Sequence, residues 1–170
     1  MRRRNDERGA NALEFVLVAP VLFLVLFGII DFGFTYNNIQ AVQYGGHEGA
    51  RAAAVGRTGS TTSCSLQGSA ASANTATRQL ICLAKSRVGL DAADTRVKLE
   101  LTADGYGLGS HVAVCVQYPL RSWSGALAEL LVGEVTEAKG VARIERLTTM
   151  PLEEVSEPAL SGNDWSWCSV

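Results

Sequence analysis

The stretch ANALEFVLVAPVLFLVLFGIIDFGFTY, residues 10–36, decides the fold of the N-terminal part of this chain. No charged residue occurs from Phe15 to Ile30, and phenylalanine, leucine, valine and isoleucine dominate that run. A membrane-spanning helix needs about 20 predominantly apolar residues, a length that the run reaches when its flanks are included. The stretch therefore predicts one transmembrane helix, embedded from about residue 13 to about residue 35, with Glu14 and Asp31 near its two ends.

The charges around this run predict its orientation. Four arginines precede it, at positions 2, 3, 4 and 8, and basic residues beside a span stay in the cytoplasm. We therefore expect a single-pass protein of the cytoplasmic (inner) membrane, in contact with the lipid bilayer, with an extracytoplasmic C-terminal part. The net charge of the whole chain is −2, and without residues 1–9 it is −4. This acidic balance argues against nucleic acid as a partner.

The first helix is predicted to continue beyond the membrane. No proline occurs from Tyr36 to Val55, and small and apolar residues recur there at helical spacing. Gly45 and Gly49 have the four-residue spacing that lets helices approach closely. We therefore predict a basic leader over residues 1–9, a helix over residues 10–56, and an extracytoplasmic domain over residues 57–170.

The remaining chain shows one helical and three strand patterns. Residues 56–68 are rich in glycine, serine and threonine and predict a loop. Residues 69–88 predict a helix that Gly89 ends. Alternation over residues 96–102 and 111–118, with a turn signal at residues 104–107, predicts a β-hairpin, and residues 134–147 predict a third strand.

Two further segments have weaker patterns. Residues 120–131 predict a loop or short helix whose Trp123, Leu127 and Leu130 cover the core, and residues 150–170 predict an extended tail. The fold class is therefore α+β: a long N-terminal transmembrane helix followed by a small domain of one helix on a three-stranded antiparallel sheet. The contribution of Trp165 and Trp167 in the tail is left open.

Four cysteines lie in the part predicted to be exported: Cys64, Cys82, Cys115 and Cys168. An even number of cysteines in an oxidising compartment favours two disulfides, and no pair has the Cys-x-x-Cys spacing that favours zinc. Four cysteines allow three pairings, and the sequence does not decide among them. We favour Cys64 with Cys82 and Cys115 with Cys168, and we expect no metal.

A glycine and a glutamate at the start of the apolar run form a recognisable motif. Glu14 lies five residues after Gly9, and Gly9 follows the basic leader. A carboxylate at the edge of a membrane span is costly and usually functional. This layout resembles that of type IV prepilins, in which a membrane peptidase cuts after the glycine. The resemblance implies cleavage between Gly9 and Ala10, after which Glu14 meets the new N-terminal amine of a neighbouring subunit.

Three longer segments narrow the resemblance to the TadE-like family, minor-pilin-like proteins of the tight-adherence (Flp) pilus system. These segments are residues 14–20, 27–33 and 48–54, within a similarity that extends from about Arg8 to Ala54. Phe15 departs from the major pilins of the system, which have tyrosine after the glutamate. The chain is also longer than those pilins, which favours an accessory subunit.

The resemblance implies a minor pilin or pseudopilin that takes part in pilus assembly for surface attachment. Its implied partners are other pilin-like subunits, contacted through the N-terminal helix, a prepilin peptidase and the tight-adherence membrane platform. Four positions along the helix are predicted to serve helix packing: Pro20, Gly28, Gly45 and Gly49.

Other interpretations of the same residues remain open. Glu14 can belong to an uncleaved anchor and reach the interface by snorkelling, which would make the protein a tethered extracytoplasmic binding module outside any fibre. Asp31 either makes a polar contact between spans or marks the exit from the membrane, and we favour the exit. Pro20 either kinks the helix or is tolerated because neighbouring helices satisfy the freed carbonyl.

The sequence offers little for catalysis. The two histidines, His47 and His111, have no evident nucleophile beside them, whereas a hydrolytic triad needs an oriented nucleophile, histidine and carboxylate. The glycines at 105, 107 and 109 lie between two strands, so turn chemistry explains them better than a phosphate loop. We therefore expect neither enzymatic activity nor a cofactor.

Overall fold

The computed structural model describes residues 4–60, 64–120, 133–148, 151–160 and 162–170. In these ranges the chain forms a long helix, two shorter helices and a four-stranded sheet. The elements in chain order are α1 (Arg4–Ala54), α2 (Ser69–Ser72), α3 (Thr75–Val88), β1 (Arg96–Leu101), β2 (His111–Pro119), β3 (Val135–Arg143) and β4 (Val155–Ser156). The α+β fold that the sequence predicts is confirmed.

Helix α1 is a continuous rod of 51 residues, roughly 75 Å long at 1.5 Å per residue. It begins six residues before the predicted start, so residues 4–9 of the leader are helical too. Pro20 lies inside α1 and does not end it. The helix is long and apolar enough to cross a membrane, judged by length and composition.

The surroundings of α1 change at Asp31. The most apolar part of the helix has none of its residues buried in the rest of the chain. From Asp31 onwards one face is covered, and Asp31 and Thr35 are only 3% and 4% exposed. The bare part of the helix therefore ends at Asp31, near the end of the predicted span.

The sheet has the strand order β3-β2-β1-β4, and all neighbours are antiparallel. The predicted hairpin is confirmed, with Arg96 opposite Gln117 and Leu101 opposite Val112. Gly105 and Gly109 have φ angles of 75° and 88° in its turn, a conformation that favours glycine. The sheet has one strand more than predicted, because β4 forms within the predicted tail and pairs with β1 at Leu99 and Val155.

The helix predicted over residues 69–88 is divided. Ala73 and Asn74 have extended backbone angles, and the Asn74 side chain accepts a hydrogen bond from the Thr77 N–H at 2.9 Å. This is an N-cap interaction, which starts a new helix at Thr75. The predicted stop is confirmed, since Gly89 adopts the left-handed conformation after α3.

Both faces of the central strand β2 are buried. Val112, Val114 and Val116 face α1 and α3 in the main core, as the alternation predicts. On the other face Ala113 and Cys115 are covered by the C-terminal tail. Leu120 is buried, whereas the segment predicted to cover the core with Trp123, Leu127 and Leu130 lies outside the described residues.

Two disulfides link the cysteines, and the favoured pairing is confirmed. Cys64 bonds to Cys82, which attaches the loop after α1 to α3. Cys115 bonds to Cys168, which holds the tail on the second face of the sheet. Trp165 and Trp167 pack beside this second bond, with their ring centroids 5.8 Å apart, so these tryptophans belong to the small second core.

A buried ion pair joins α3 to the tail. The Lys85 ammonium donates to Glu157 Oε1 at 2.8 Å, and the two side chains are 1% and 0% exposed. Lys85 also donates to the carbonyls of Ser65 and Ala92, so all three ammonium hydrogens are used. Burial lowers the pKa of Lys85, and the hydrogen bond and charge of Glu157 oppose that shift.

Candidate functional site

The proposed processing site lies on an uncovered part of α1. Gly9 is exposed, and a Cβ atom added to it would meet nothing within 4 Å. The backbone of Gly9 and Ala10 is helical, so the peptide bond between them is not in an extended conformation. A peptidase that binds its substrate as an extended chain would first have to unwind this end of α1.

Glu14 is exposed about one and a half turns further along α1, roughly 7.5 Å up the helix axis from Gly9. Its neighbours Leu13 and Phe15 are large exposed apolar residues. Among the residues that the structure describes, none forms an ion pair with Glu14. A carboxylate at the edge of a membrane span is costly unless it finds a partner or its side chain reaches the interface.

Two of the predicted packing positions lie on the bare part of the helix. Pro20 is exposed, and a Cβ atom added to Gly28 would meet nothing within 4 Å. The described part of the chain therefore does not pack against either residue. Both positions are open to lipid or to another helix.

The other two predicted packing positions contact the chain's own domain. A Cβ atom on Gly45 would lie 2.3 Å from Val88 Cγ2, and one on Gly49 would lie 3.1 Å from Ala84 Cβ. Both neighbours belong to α3. The close helix approach that the Gly45 and Gly49 spacing predicts is thus made within one molecule.

The closest approach of α1 to the sheet occurs at a pair of glycines. A Cβ atom on Gly140 of β3 would lie 2.2 Å from the Gly46 carbonyl oxygen and 2.8 Å from His47 Cα. Backbone therefore touches backbone, and only glycine fits at position 140. This contact sets the direction in which α1 extends from the domain, because neither the helix backbone nor the strand backbone can move aside there.

The segment His47–Arg51 completes this attachment. Glu48 accepts a hydrogen bond from the Arg57 guanidinium at 2.8 Å and lies 3.8 Å from Arg51, while Ala50 is buried. The segment therefore joins the end of α1 to the loop that follows it. Its small residues face the core, and its charged residues pair along the helix surface.

Residues 9–51 match the sequence model of the TadE-like protein family. The match covers about a quarter of the chain and ends three residues before α1 does. Comparisons with curated proteins and with solved structures gave no significant match.

The TadE-like segment is therefore almost entirely the long helix. It contains the exposed Gly9 and Glu14, the bare apolar part and the glycines that dock α1 on the domain. Gly140, which receives α1, lies outside the match, in β3. Sequence reasoning did not find Gly140, and its only signal was a glycine inside a predicted strand, which can indicate a close backbone approach.

Proposed function

We propose that this protein is a TadE-like minor pilin or pseudopilin that takes part in assembly of tight-adherence pili. In this proposal a prepilin peptidase cuts the chain after Gly9, and Glu14 then pairs with the N-terminal amine of a neighbouring subunit. The domain after α1 contacts other pilin-like subunits and the membrane platform. The proposal gives the chain a structural role and no catalytic one.

The observation that carries the proposal is the combination of Gly9 and Glu14 on one bare helix. Both residues are exposed, and the carboxylate has no cation among the described residues. A neighbour's amine would supply that cation in a medium of low dielectric constant, where unlike charges attract strongly. The rigid docking of α1 through Gly46 and Gly140 would then place the domain relative to the assembled helices.

The proposed orientation follows from the arginines at positions 2, 3, 4 and 8. Basic residues beside a span remain in the cytoplasm, which places the leader on the peptidase's side in this proposal. The two disulfides support an oxidising environment for the domain, since such bonds persist outside the cytosol. The protein would thus be held in the inner membrane before it joins or primes a pilus.

Processing is tested by sequencing the N-terminus of the full chain after co-expression with a prepilin peptidase. We expect the mature chain to begin at Ala10, and to begin at Met1 when the peptidase is absent. The variant Gly9→Val should remain uncut, because a branched side chain replaces the residue at the cut. A wild-type chain that still begins at Met1, while the same peptidase cuts another prepilin, would contradict the processing step.

The role of Glu14 is tested with Glu14→Ala in cells that carry the complete pilus system. We expect loss of co-purification with other pilin-like subunits and an unchanged amount of protein in the membrane, because the apolar run is intact. The matched control is Glu134→Ala, which removes an exposed carboxylate from the domain. If Glu14→Ala assembles as the wild type does, the protein is better described as a tethered extracytoplasmic binding module.

A further inference from the structure

We propose that the membrane-proximal end of the domain rests in the polar surface layer of the bilayer, and that the hydrocarbon core reaches Tyr36 on the bare side of α1. Three residues face lipid on that side, and we call them the exit aromatics: Phe32, Phe34 and Tyr36. The inference rests on the membrane anchoring in the proposed function. It adds a second contact with lipid, which the domain makes in addition to the span.

Between Asp31 and Tyr36 one side of α1 is covered and the other is bare. Asp31 and Thr35 are 3% and 4% exposed. The exit aromatics are 62%, 64% and 54% exposed, and the rings of Phe32 and Tyr36 stack with their centroids 6.3 Å apart. The same short piece of helix therefore presents large aromatic side chains to the outside and keeps a carboxyl side chain under the domain.

The thickness of a bilayer decides where the span ends. From Phe15, the first residue after Glu14, to Asp31 the helix rises only about 24 Å at 1.5 Å per residue. From Phe15 to Tyr36 it rises about 32 Å, which matches the hydrocarbon core of roughly 30 Å. The level of Asp31 therefore lies about 7.5 Å inside the far boundary, rather than at the exit that the sequence favours.

The residue types change at Tyr36 and not at Asp31. Tyrosine is enriched where a span meets the headgroups, because its ring is apolar and its hydroxyl is polar. Four residues with side-chain amides follow it: Asn37, Asn38, Gln40 and Gln43. An acidic residue at membrane depth is tolerated where it faces protein rather than lipid, and the burial of Asp31 meets that condition.

The contacts between α1 and β3 give the height of the sheet along the helix. Gly46 lies against Gly140, and the Ala54 carbonyl accepts a hydrogen bond from the Glu145 N–H. The helix and the strand therefore run in the same direction. Eight residues of α1, from 46 to 54, pass five residues of β3 and its extension, from 140 to 145.

The same ratio, continued towards the membrane, places the first residue of β3 near the level of residue 38. This residue, Val135, is thus about 3 Å beyond Tyr36 along the helix axis. The polar layer on each side of the hydrocarbon core is about 5–7 Å thick, so the end of the sheet lies within it. Asp31 and Thr35 are buried still lower on α1, so the domain reaches at least this far.

Fluorescence quenching in vesicles tests both parts of the proposal. The full chain, without pilus components, is reconstituted in phosphatidylcholine vesicles with one added cysteine that carries a bimane group. The four native cysteines are paired in disulfides, so the label reacts with the added one. Quenching is measured with aqueous iodide and with a lipid that carries a nitroxide on its headgroup.

Phe34→Cys and Tyr44→Cys test the level of the boundary, since both replace exposed aromatic residues of α1. Tyr44 lies about 12 Å beyond Tyr36, outside the polar layer. We expect iodide quenching at position 34 to be as weak as at Leu24→Cys, in the middle of the apolar run, and several-fold weaker than at position 44. Clearly stronger quenching at position 34 than at position 24 would overturn the proposal, while protection at position 24 would leave the membrane anchor intact.

Val135→Cys and Val141→Cys test the position of the domain. These valines lie on the same face of β3 and near its two ends, so they differ chiefly in their height above the membrane. We expect the headgroup nitroxide to quench the label at position 135 several-fold more strongly than at position 141. Equal quenching at the two positions would overturn the contact of the domain with the bilayer. Free access of iodide to position 24 would overturn this inference together with the anchoring in the proposed function.

Discussion

Gly140→Ala is expected to prevent α1 from docking on the sheet and to destabilise the domain by at least about 3 kcal/mol, the upper part of the range for overpacked cores. The added Cβ atom would lie 2.2 Å from the Gly46 carbonyl oxygen and 2.6 Å from its carbon. Both are backbone atoms of a helix that also packs on α3. No side-chain rotation can relieve the overlap, so the whole helix has to move.

The measurement is denaturant unfolding of the full chain in detergent, followed by tryptophan fluorescence. Gly107→Ala is the matched control, because its Cβ atom would meet only Ser110 Oγ at 3.5 Å, an ordinary contact. The control should change the free energy of unfolding by no more than about 0.5 kcal/mol. If Gly140→Ala unfolds at the same denaturant concentration as the wild type, the close contact of α1 with β3 is wrong.

Lys85→Met is expected to destabilise the domain by about 3–5 kcal/mol, the usual effect of removing one partner of a buried ion pair. The variant would leave the Glu157 carboxylate fully buried without its ammonium partner. Two backbone carbonyls, of Ser65 and Ala92, would also lose a donor. Methionine fills most of the lysine's volume, so the effect arises chiefly from the unpaired charge.

Lys98→Met is the comparison for this variant. Lys98 pairs with Glu100, but these side chains are 18% and 20% exposed, so water can partly solvate the charge that remains and we expect a smaller loss than for Lys85→Met. The double variant Lys85→Met/Glu157→Gln should recover part of the loss, because the amide carries no charge and its oxygen can still accept from a backbone N–H. Equal stability of Lys85→Met and Lys98→Met would contradict the buried pair. Both variants are measured by the same unfolding experiment.

The C-terminal tail shows which features local sequence patterns predict and which they miss. The tail was predicted to be extended, and the favoured bond between Cys115 and Cys168, which holds its end, is present. The short strand β4 was not predicted, because two residues are too few for an alternation signal. Glu157 follows β4 directly and accepts hydrogen bonds from the N–H groups of Gln67 and Val97. A lone glutamate in a tail gives no sign of such burial.

The sequence predicted the residues of the candidate site that lie along α1. It did not predict the contacts that attach α1 to the domain. Gly9, Glu14 and the bare apolar part were identified from spacing along α1 alone. Gly45 and Gly49 were identified as packing residues, but their partners on α3 and β2 were unknown. The helical period of α1 is visible in the sequence, but the period alone does not show which face the domain covers. Only the position of the domain distinguishes the covered face from the bare one.

The sequence by itself determined a helix long and apolar enough to cross a membrane, its continuation to the end of α1, the hairpin and the spacing of Gly9 and Glu14. These features depend on residues close together in the chain, where hydropathy, helical period and glycine backbone freedom act locally. Only the tertiary structure decided the docking of Gly46 on Gly140, the pair of Lys85 with Glu157, and which face of α1 remains bare. Each of these is set by residues far apart in the chain, whose complementarity of shape or charge exists only once the chain has folded.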